Sequence, residues 1–181
     1  GAGIINKIVK WSKTAGEEQE NDNNAITRAC FNLSRNQMGA LIVIATDTEL
    51  KYHASTGDQI DAKLSAPLLE SIFFKNSPLH DGGVIIYKNR IKAARCILPV
   101  SDNPEIPSSY GLRHRAAVGL TESSPALAIV VSEENGKISI AKEGKLKSDL
   151  SMEQFRAELD KLLTVEVEVG LEGQEKTQAA S

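Results

Sequence analysis

Residues 82–98 read GGVIIYKNRIKAARCIL, and this stretch decides the class of fold. Two apolar runs, residues 83–87 and 91–98, flank the polar turn Lys88-Asn89-Arg90. Runs of this length on either side of a short polar turn predict two antiparallel strands joined as a hairpin. The fold must therefore be built around a β-sheet.

Upstream of the hairpin, helical and strand-like patterns alternate. Apolar residues recur at helical spacing between residues 26 and 33 and predict an amphipathic helix. The continuous apolar run at residues 40–45 predicts a buried strand, and alternating apolar residues at 50–54 predict a strand paired with it. Ser65, followed by Pro67, has the chemistry of a helix start.

The same alternation continues downstream. A proline-containing loop at residues 101–109 precedes a predicted helix at 113–120 and a strand at 126–131. Asn135-Gly136 is a strong hairpin signal, and it leads into an alternating strand at 137–141. The chain is therefore predicted to have an α/β fold, with a mixed sheet and helices packed on it.

The chain is predicted to hold one domain. Ser151 and Gln154 form a capping box that begins the last helix, so the domain spans residues 25–163. Residues 1–24 are predicted to be an N-terminal linker, of which residues 12–24 are polar and acidic. Residues 164–181 become polar and are predicted to be a partly disordered tail.

Bulk composition limits the function. The chain has 181 residues and a net charge of -3, which argues against a general nucleic-acid surface, because such surfaces need clustered Lys and Arg. Its two cysteines, Cys30 and Cys96, lie in apolar runs and are predicted to be buried. No apolar stretch approaches the roughly 20 residues of a membrane span.

The first polar constellation is PLHDGG at residues 78–83. Asp81 could bind a divalent cation or accept a proton from a hydroxyl group. The following glycines, Gly82 and Gly83, would allow a ligand to approach the backbone closely. An ordinary turn before a strand is the alternative, because Asp-Gly is common there for conformational reasons.

The second constellation is GLRHRAA at residues 111–117. Arg113 and Arg115 flank His114 where a loop enters a predicted helix. Helix N-termini attract anions and arginine forks match phosphate oxygens, so this segment predicts an anion site. A solvated turn with surface arginines is the alternative.

The third constellation, Ser132-Glu133-Glu134, follows a predicted buried strand. Paired acids suit a metal ion, although many such pairs merely keep a turn in water. Together the three constellations indicate nucleotide or phosphoryl chemistry. The sequence has no GxxxxGK[ST], GxGxxG or GxSxG motif, which excludes the common nucleotide-binding folds that use them.

At these residues the sequence resembles the diadenylate cyclase family, and most closely its membrane-associated bacterial branch. The family's DGA and RHR motifs correspond to Asp81-Gly82-Gly83 and Arg113-His114-Arg115. The resemblance covers residues 25–163 and extends through GALIV (39–43), DAKLS (61–65), LPVSDNP (98–104) and VSEENGKIS (131–139).

The resemblance implies a largely antiparallel sheet flanked by helices and a reaction between two ATP molecules. Two domains would meet face to face as a homodimer, each holding one ATP. The 3′-hydroxyl of each nucleotide would attack the α-phosphorus of the other, giving cyclic di-AMP and two pyrophosphates. A Mg²⁺ or Mn²⁺ ion would support each transfer.

The resemblance also assigns roles to individual residues. The implied catalytic residues are Asp81, Gly82, Gly83, Arg113, His114 and Arg115. The implied ATP-binding residues are Gly57, Leu98, Leu112, Arg113, Arg115 and Ser132. The implied metal ligands are Asp81, His80 and Glu134.

Two positions depart from the family pattern. Leu112 stands where the family usually has Thr, so a hydroxyl that would meet phosphate is lost. Gly83 replaces the Ala of the DGA motif.

The branch carries N-terminal transmembrane helices, so we expect this chain to be the cytoplasmic part of a membrane-anchored protein. Regulatory protein partners are not identified by the resemblance.

Two other functions stay open. The domain could be a catalytically weak module that binds a nucleotide or cyclic di-AMP, with Leu112 as the reason for the weakness. It could also be a metal-dependent phosphohydrolase built on His80, Asp81 and His114.

Overall fold

The computed structural model describes residues 22–163, in which seven strands form one sheet. In chain order the elements are α1 (Asp22–Arg35), β1 (Ala40–Ile44), a 3₁₀ turn (Thr48–Leu50), α2 (Lys51–Ser55), β2 (Asp58–Lys63), α3 (Ala66–Phe73), β3 (Gly83–Tyr87), β4 (Arg90–Cys96), α4 (Leu112–Ser123), β5 (Leu127–Val131), β6 (Ile138–Lys142), β7 (Lys145–Leu150) and α5 (152–163).

The sheet order is β2-β4-β3-β1-β5-β6-β7. Within the described residues β1 and β3 form a parallel pair, and every other neighbouring pair is antiparallel. This confirms the predicted α/β fold with a mixed, largely antiparallel sheet. The β3–β4 hairpin is also confirmed. Its turn residues Lys88 and Asn89 have φ values of 47° and 64°, the left-handed pair that a tight hairpin turn requires.

The two faces of the sheet carry separate apolar cores because strand side chains alternate between faces. On one face the sheet packs against α1, α3 and α5, whose buried residues include Leu33, Phe73 and Phe155. On the other face it packs against α4 and the 3₁₀ turn, through residues such as Leu120 and Leu50. The helices thus hold the sheet rigid from both sides.

One end of the sheet gathers all three polar constellations, and we call it the site edge. At this edge β1, β3 and β6 begin, while β4, β5 and β7 end. The strand register there pairs Ala40 with Val131, Val131 with Ile138, Ile138 with Leu150, and Gly83 with Cys96. Segments far apart in the chain therefore meet at the site edge.

The predicted strand at residues 50–54 is wrong. Asp47 accepts a hydrogen bond from the Glu49 amide at 2.7 Å and starts the 3₁₀ turn, which continues into α2. The positions beside β1 are taken instead by β3 and β5, and a further strand, β2, pairs with β4 from Asp58 to Lys63. Tyr52 is consequently 74% exposed and does not belong to the sheet.

Three residues of the predicted linker belong to a helix instead. Residues 22–24 form the start of α1, where Asn23 donates to Asp160 and Asn24 accepts from Arg156, both on α5. These contacts with a distant helix extend α1 beyond its apolar pattern. The rest of the predicted linker and the predicted tail, residues 164–181, lie outside the described residues. Across residues 22–163, every helix is too short or too polar to cross a bilayer.

Candidate functional site

A cavity of about 630 Å³ opens at the site edge. Eight of its lining residues are ones to which the resemblance assigned a role: His80, Asp81, Gly82, Leu112, Arg113, His114, Ser132 and Glu134. The remaining lining residues are Ser109, Tyr110, Gly111, Val131, Glu133, Asn135, Lys137 and Asp149. The structure therefore brings residues from all three polar constellations around one space.

His80 and Asp81 form a pair on the loop before β3. The His80 Nδ1 lies 2.6 Å from the Ser77 carbonyl oxygen, which can only accept, so Nδ1 carries a proton. His80 Nε2 lies 3.3 Å from Asp81 Oδ1. The Asp81 side chain is 83% exposed. The pair thus presents an imidazole nitrogen and a reachable carboxylate side by side.

Gly82 joins this pair to the sheet and must be a glycine. Its φ is +78°, which L side chains rarely adopt. A Cβ there would lie 2.8 Å from the Cys96 carbonyl oxygen and 2.9 Å from the Arg95 carbonyl carbon. The loop therefore turns sharply against the end of β4 and directs Asp81 into the cavity.

Arg113 enters the cavity from the first turn of α4. Its guanidinium lies against Gly39, where a Cβ would be 2.4 Å from Nη1. Arg113 Nη1 also lies 3.4 Å from Glu133 Oε2, and the arginine side chain is 21% exposed. Gly39 and Glu133 thus hold the guanidinium at the cavity wall.

The N-terminus of α4 faces the same cavity without a side-chain cap. Gly111 occupies the capping position and forms no capping hydrogen bond. Backbone N–H groups in the first turn of a helix lack helical partners and attract anions. Leu112, also in this turn, is 74% exposed. The helix end therefore offers amide donors beside the Arg113 guanidinium.

His114 lies deeper and is 8% exposed. The centroid of its ring lies 4.6 Å from the centroid of the Tyr110 ring. Burial lowers the pKa of His114 below the ordinary histidine value, and the Arg113 charge adds to this, while Asp149 and Glu134 oppose it. A lowered pKa keeps the imidazole neutral near pH 7. His114 can then act as a hydrogen-bonding group rather than as a cation.

Four predicted site residues do not line the cavity. Gly57, Gly83 and Leu98 gather nearby at the end of β4: Gly57 packs against Cys96, and the Leu98 side chain lies over Gly83. Arg115 is two residues along the helix from Arg113, so the two side chains point in different directions. An Arg115 nitrogen lies 3.5 Å from the Pro107 carbonyl oxygen.

His80 and Asp81 offer two neighbouring donors for a metal ion. Across residues 22–163, however, the structure has no cluster of three or more His, Cys, Asp or Glu side chains arranged to hold one. Glu134 lines the same cavity without joining such a cluster. Two protein donors are nevertheless enough for an ion that takes its other ligands from phosphates and water.

Sequence reasoning missed Lys137 and Asp149. Lys137 follows the Asn135-Gly136 turn, and a lysine at such a position is typical of an ordinary solvent-exposed residue. Asp149 lies on β7, a strand that the sequence did not predict. The two become neighbours only through the pairing of β6 with β7. Only the VSEENGKIS segment, which contains Lys137, carried any signal for them.

The cavity has the chemistry of a phosphate site that also needs a cation. Of the described residues, four acidic and two basic side chains line it: Asp81, Glu133, Glu134, Asp149, Arg113 and Lys137. Arg113 and the amides of α4 suit phosphate oxygens. The surplus of carboxylates would repel a polyphosphate unless a metal ion compensated for it.

Comparisons with known proteins agree with this chemistry. Residues 27–146 match the DAC family, described as "DisA bacterial checkpoint controller nucleotide-binding". The cyclic di-AMP synthase CdaA of Bacillus subtilis is 44% identical over 144 residues, covering 80% of this chain and 53% of CdaA. A diadenylate cyclase of Listeria monocytogenes is 40% identical over 161 residues, covering 88% of this chain and 59% of that protein. The chain thus spans between half and two thirds of the length of these curated relatives.

Solved structures agree as well. A double mutant of DacA from Staphylococcus aureus superposes with a TM-score of 0.77 at 41% identity, covering 80% of this chain and 97% of that one. A hypothetical membrane spanning protein from Bacillus cereus gives a TM-score of 0.68 at 45% identity, covering 71% of this chain and 63% of that one. With the family match over residues 27–146 and the likeness to these relatives in sequence and fold, this chain belongs to the DAC family, the diadenylate cyclase domains.

Proposed function

We propose that this chain joins two ATP molecules into cyclic di-AMP and releases two pyrophosphates. One observation carries the proposal: Asp81 and Arg113 reach the same cavity from different elements. The named activities of the relatives, cyclic di-AMP synthase and diadenylate cyclase, support it. Phosphoryl transfer asks a protein mainly for alignment and charge neutralisation, and the residues of this cavity suit both.

In the proposed reaction the triphosphate lies between the N-terminus of α4 and Arg113. The guanidinium and the free amides bind phosphate oxygens, and Arg113 exchanges Glu133 for phosphate. Neutral His114 donates or accepts a hydrogen bond at the phosphate end without adding charge. Ser132, whose hydroxyl accepts from the Glu134 amide at 3.2 Å, supports the neighbouring wall.

Asp81 acts at the attacking hydroxyl. It accepts the proton of a 3′-hydroxyl as the new bond forms between O3′ and the α-phosphorus. The bond from that phosphorus to the bridging oxygen breaks, and pyrophosphate leaves with the electron pair. Two such steps, one for each nucleotide, close the ring.

His80 and Asp81 would hold a divalent cation, either Mg²⁺ or Mn²⁺. His80 donates from Nδ1 to the Ser77 carbonyl oxygen, so Nε2, which lies beside Asp81, would be the nitrogen that binds the cation, as in many metal-binding histidines. When bound, such a cation neutralises phosphate charge and makes the 3′-hydroxyl more acidic. Glu134 would join these ligands after a movement of its side chain.

The adenine would lie near Gly57, Gly83 and Leu98, at the end of β4. Gly57 and Gly82 both lie against Cys96, and Gly83 lies against Leu98, so these residues adjoin the loop that carries Asp81. Leu112 would contact the nucleotide through carbon where relatives use a hydroxyl. Arg115 would act through the loop at residues 101–109, which it contacts at Pro107, and position that loop rather than a phosphate.

A homodimer is part of the proposal, because one cavity of this size suits one nucleotide. Two chains would face each other so that each 3′-hydroxyl meets the other α-phosphorus. The Bacillus cereus neighbour is described as a membrane spanning protein, which supports the proposal that a segment outside residues 22–163 holds the natural protein at the membrane.

The test is to identify the product that is formed from ATP with Mn²⁺ or Mg²⁺. The chain should give cyclic di-AMP and pyrophosphate, and Asp81→Asn should lower the rate by about 100-fold or more without unfolding the protein. Glu143→Gln, at an exposed acid in the turn between β6 and β7 at the opposite end of the sheet, is the matched control and should be fully active.

Two other outcomes would replace the proposal. Release of AMP or phosphate would identify a phosphohydrolase. Tight nucleotide binding without product, even at high protein concentration, would identify a binding module, and Leu112 would then be the first residue to revert to Thr.

A further inference from the structure

Lys137 and Asp149 line the cavity on the wall formed by β6 and β7. The Ser132 amide donates to the Lys137 carbonyl oxygen at 3.0 Å, and the Asn135 side chain accepts from the Lys137 amide at 3.0 Å. The backbone of Lys137 is thus fixed beside Ser132. Its side chain is 55% exposed and extends along the wall to Asp149.

A bulge in β7 directs Asp149 toward Lys137. The register changes between the pairs Ile138–Leu150 and Ile140–Lys147, so that β7 has one more residue than β6 in this interval. Asp149 lies in the bulge with a φ of 56°, in the left-handed region. Bulges of this kind re-aim side chains and are frequent beside active sites.

The ion pair between these two residues is loose. Lys137 Nζ lies 3.7 Å from Asp149 Oδ2, whereas a charge-assisted hydrogen bond is about 2.8 Å long. On the same strand, Lys147 Nζ lies 2.8 Å from Glu158 Oε1. A loose, half-exposed pair contributes little stability, so an anion of higher charge can displace the carboxylate.

The pair lies close to the phosphate end of the cavity. Burial lowers the pKa of His114, and the Asp149 charge is the strongest influence that opposes this shift. Asp149 is therefore within electrostatic reach of the first turn of α4. A lysine has a long flexible stem, so the ammonium group that Asp149 holds can reach phosphates bound near Arg113 and His114.

Arg113 and Lys137 share one arrangement. Each cation is held by an acid at more than hydrogen-bond distance, Glu133 at 3.4 Å and Asp149 at 3.7 Å. The cavity has more carboxylates than cations, so both cations are needed to offset the repulsion between these carboxylates and a polyphosphate. Charge develops on the departing pyrophosphate during the reaction, so a second cation would act there.

We propose that Lys137 binds the β- and γ-phosphates of the nucleotide, and that Asp149 holds its ammonium group until the nucleotide arrives. This inference rests on the proposed function, because it assigns the terminal phosphates of that substrate to a residue.

The test compares two probes that cannot react, 3′-deoxy-ATP and 3′-deoxy-AMP, by calorimetric titration in the presence of Mn²⁺. Both lack the attacking hydroxyl, and they differ by the two terminal phosphates. Lys137→Met should weaken binding of 3′-deoxy-ATP about tenfold and leave that of 3′-deoxy-AMP within about twofold. Lys137→Arg should retain most of the affinity for the triphosphate.

Lys147→Met is the matched control, because it removes a lysine ion pair on β7 away from the cavity, and it should bind both probes normally. Asp149→Asn should bind 3′-deoxy-ATP more tightly, since the ammonium group is released and a negative charge is lost. Equal losses for both probes in Lys137→Met, or no loss, would overturn the role of Lys137. Weaker triphosphate binding in Asp149→Asn would overturn the role of Asp149.

Product formation by the unaltered chain separates this inference from the proposed function. If the unaltered chain forms no cyclic di-AMP while Lys137→Met weakens the binding of 3′-deoxy-ATP and not that of 3′-deoxy-AMP, the proposed function alone is contradicted. If the unaltered chain forms cyclic di-AMP while Lys137→Met affects both probes equally or neither of them, the inference about Lys137 alone is contradicted.

Discussion

Arg113 is placed as much by a missing side chain as by the contacts that it makes. Gly39 lies where β1 begins, and its lack of a Cβ leaves room for the guanidinium. Glu133 holds the same group from another strand end. The position of this arginine therefore depends on residues far away in the sequence.

Gly39→Ala should impair nucleotide binding while the fold survives. The new methyl group would lie 2.4 Å from Arg113 Nη1, and the far end of a flexible side chain can move away from it. We expect the KM for ATP to rise roughly tenfold, because small misplacements of charged groups are costly in phosphoryl transfer. Steady-state kinetics and thermal unfolding measure the two effects.

Gly82→Ala provides the contrast. Its methyl group would meet backbone atoms of β4, which cannot move aside, at a φ that alanine avoids. This variant should lose stability as well as activity. If Gly39→Ala instead unfolded as readily as Gly82→Ala, Gly39 would be a structural residue and not a positioning residue.

Single residues also mark how far sequence reasoning reaches. Asp81 and Arg113 stand in short motifs of unusual composition, so their chemistry is visible before folding. Tyr110 and Asp149 carry no local signal, and the GALIV segment gives no sign that its Gly39 lies against Arg113, because these roles arise only when strands and a helix meet at the site edge. The geometry of a site, unlike its motifs, is a property of the folded chain.

Elements with a clear apolar period were predicted from sequence, and polar edge strands were not. The buried strands β1, β3 and β5 have almost continuous apolar runs. Strands β2 and β7, with sequences DQIDAK and KLKSDL, lie at the two edges of the sheet and remain largely exposed. An edge strand needs charge rather than burial to avoid pairing with other chains, which removes the pattern that identifies strands.

The capping box at the start of α5 has the geometry that the sequence predicted. The Ser151 hydroxyl accepts from the Gln154 amide at 3.1 Å, and the Gln154 side chain accepts from the Ser151 amide at 2.9 Å. This cap anchors the helix whose residues Phe155 and Leu159 are fully buried against the sheet.

Ser151→Ala should lower the free energy of unfolding by about 1 kcal/mol, the usual cost of losing a helix cap. Its KM for ATP should stay unchanged, because the serine does not line the cavity. Urea unfolding and steady-state kinetics test both points. Gln154→Ala, which keeps the serine hydroxyl as a cap, should lose less, and an equal or larger loss would contradict this account.

At the scale of the whole molecule, the sheet order explains why the site is compact. Antiparallel neighbours run in opposite directions. The single parallel pair found in residues 22–163, β1 with β3, lets two neighbouring strands both begin at the site edge. Three sequence motifs thereby converge. The class of fold followed from the periodicity, whereas this order of strands could not, because registers depend on contacts between distant segments.

The dimer proposal predicts that inactive chains lower the activity of the active chains with which they pair. If cyclisation requires an Asp81 from each of two chains, a mixed dimer that contains one Asp81→Asn chain completes only one transfer. Adding a threefold excess of that variant, which leaves about a quarter of the active chains paired together at random, should therefore cut cyclic di-AMP formation roughly fourfold. Chromatography of the product measures the rate.

Glu143→Gln added in the same excess should not lower the rate per active chain. A rate that stays constant on addition of the inactive variant would mean that one chain completes the reaction alone, and would contradict the dimer.

The hairpin turn at Lys88-Asn89 lies at the end of the sheet opposite the site edge, and this gives a convenient place for a spectroscopic probe. The protein's own thiols are inert: burial raises the pKa of Cys30 to about 12, and burial together with the Asp58 charge raises the pKa of Cys96 to about 11. A cysteine introduced at Asn89 would then be the one thiol that maleimide dyes modify at neutral pH. Fluorophores attached there would report the distance between two assembled copies without disturbing catalysis.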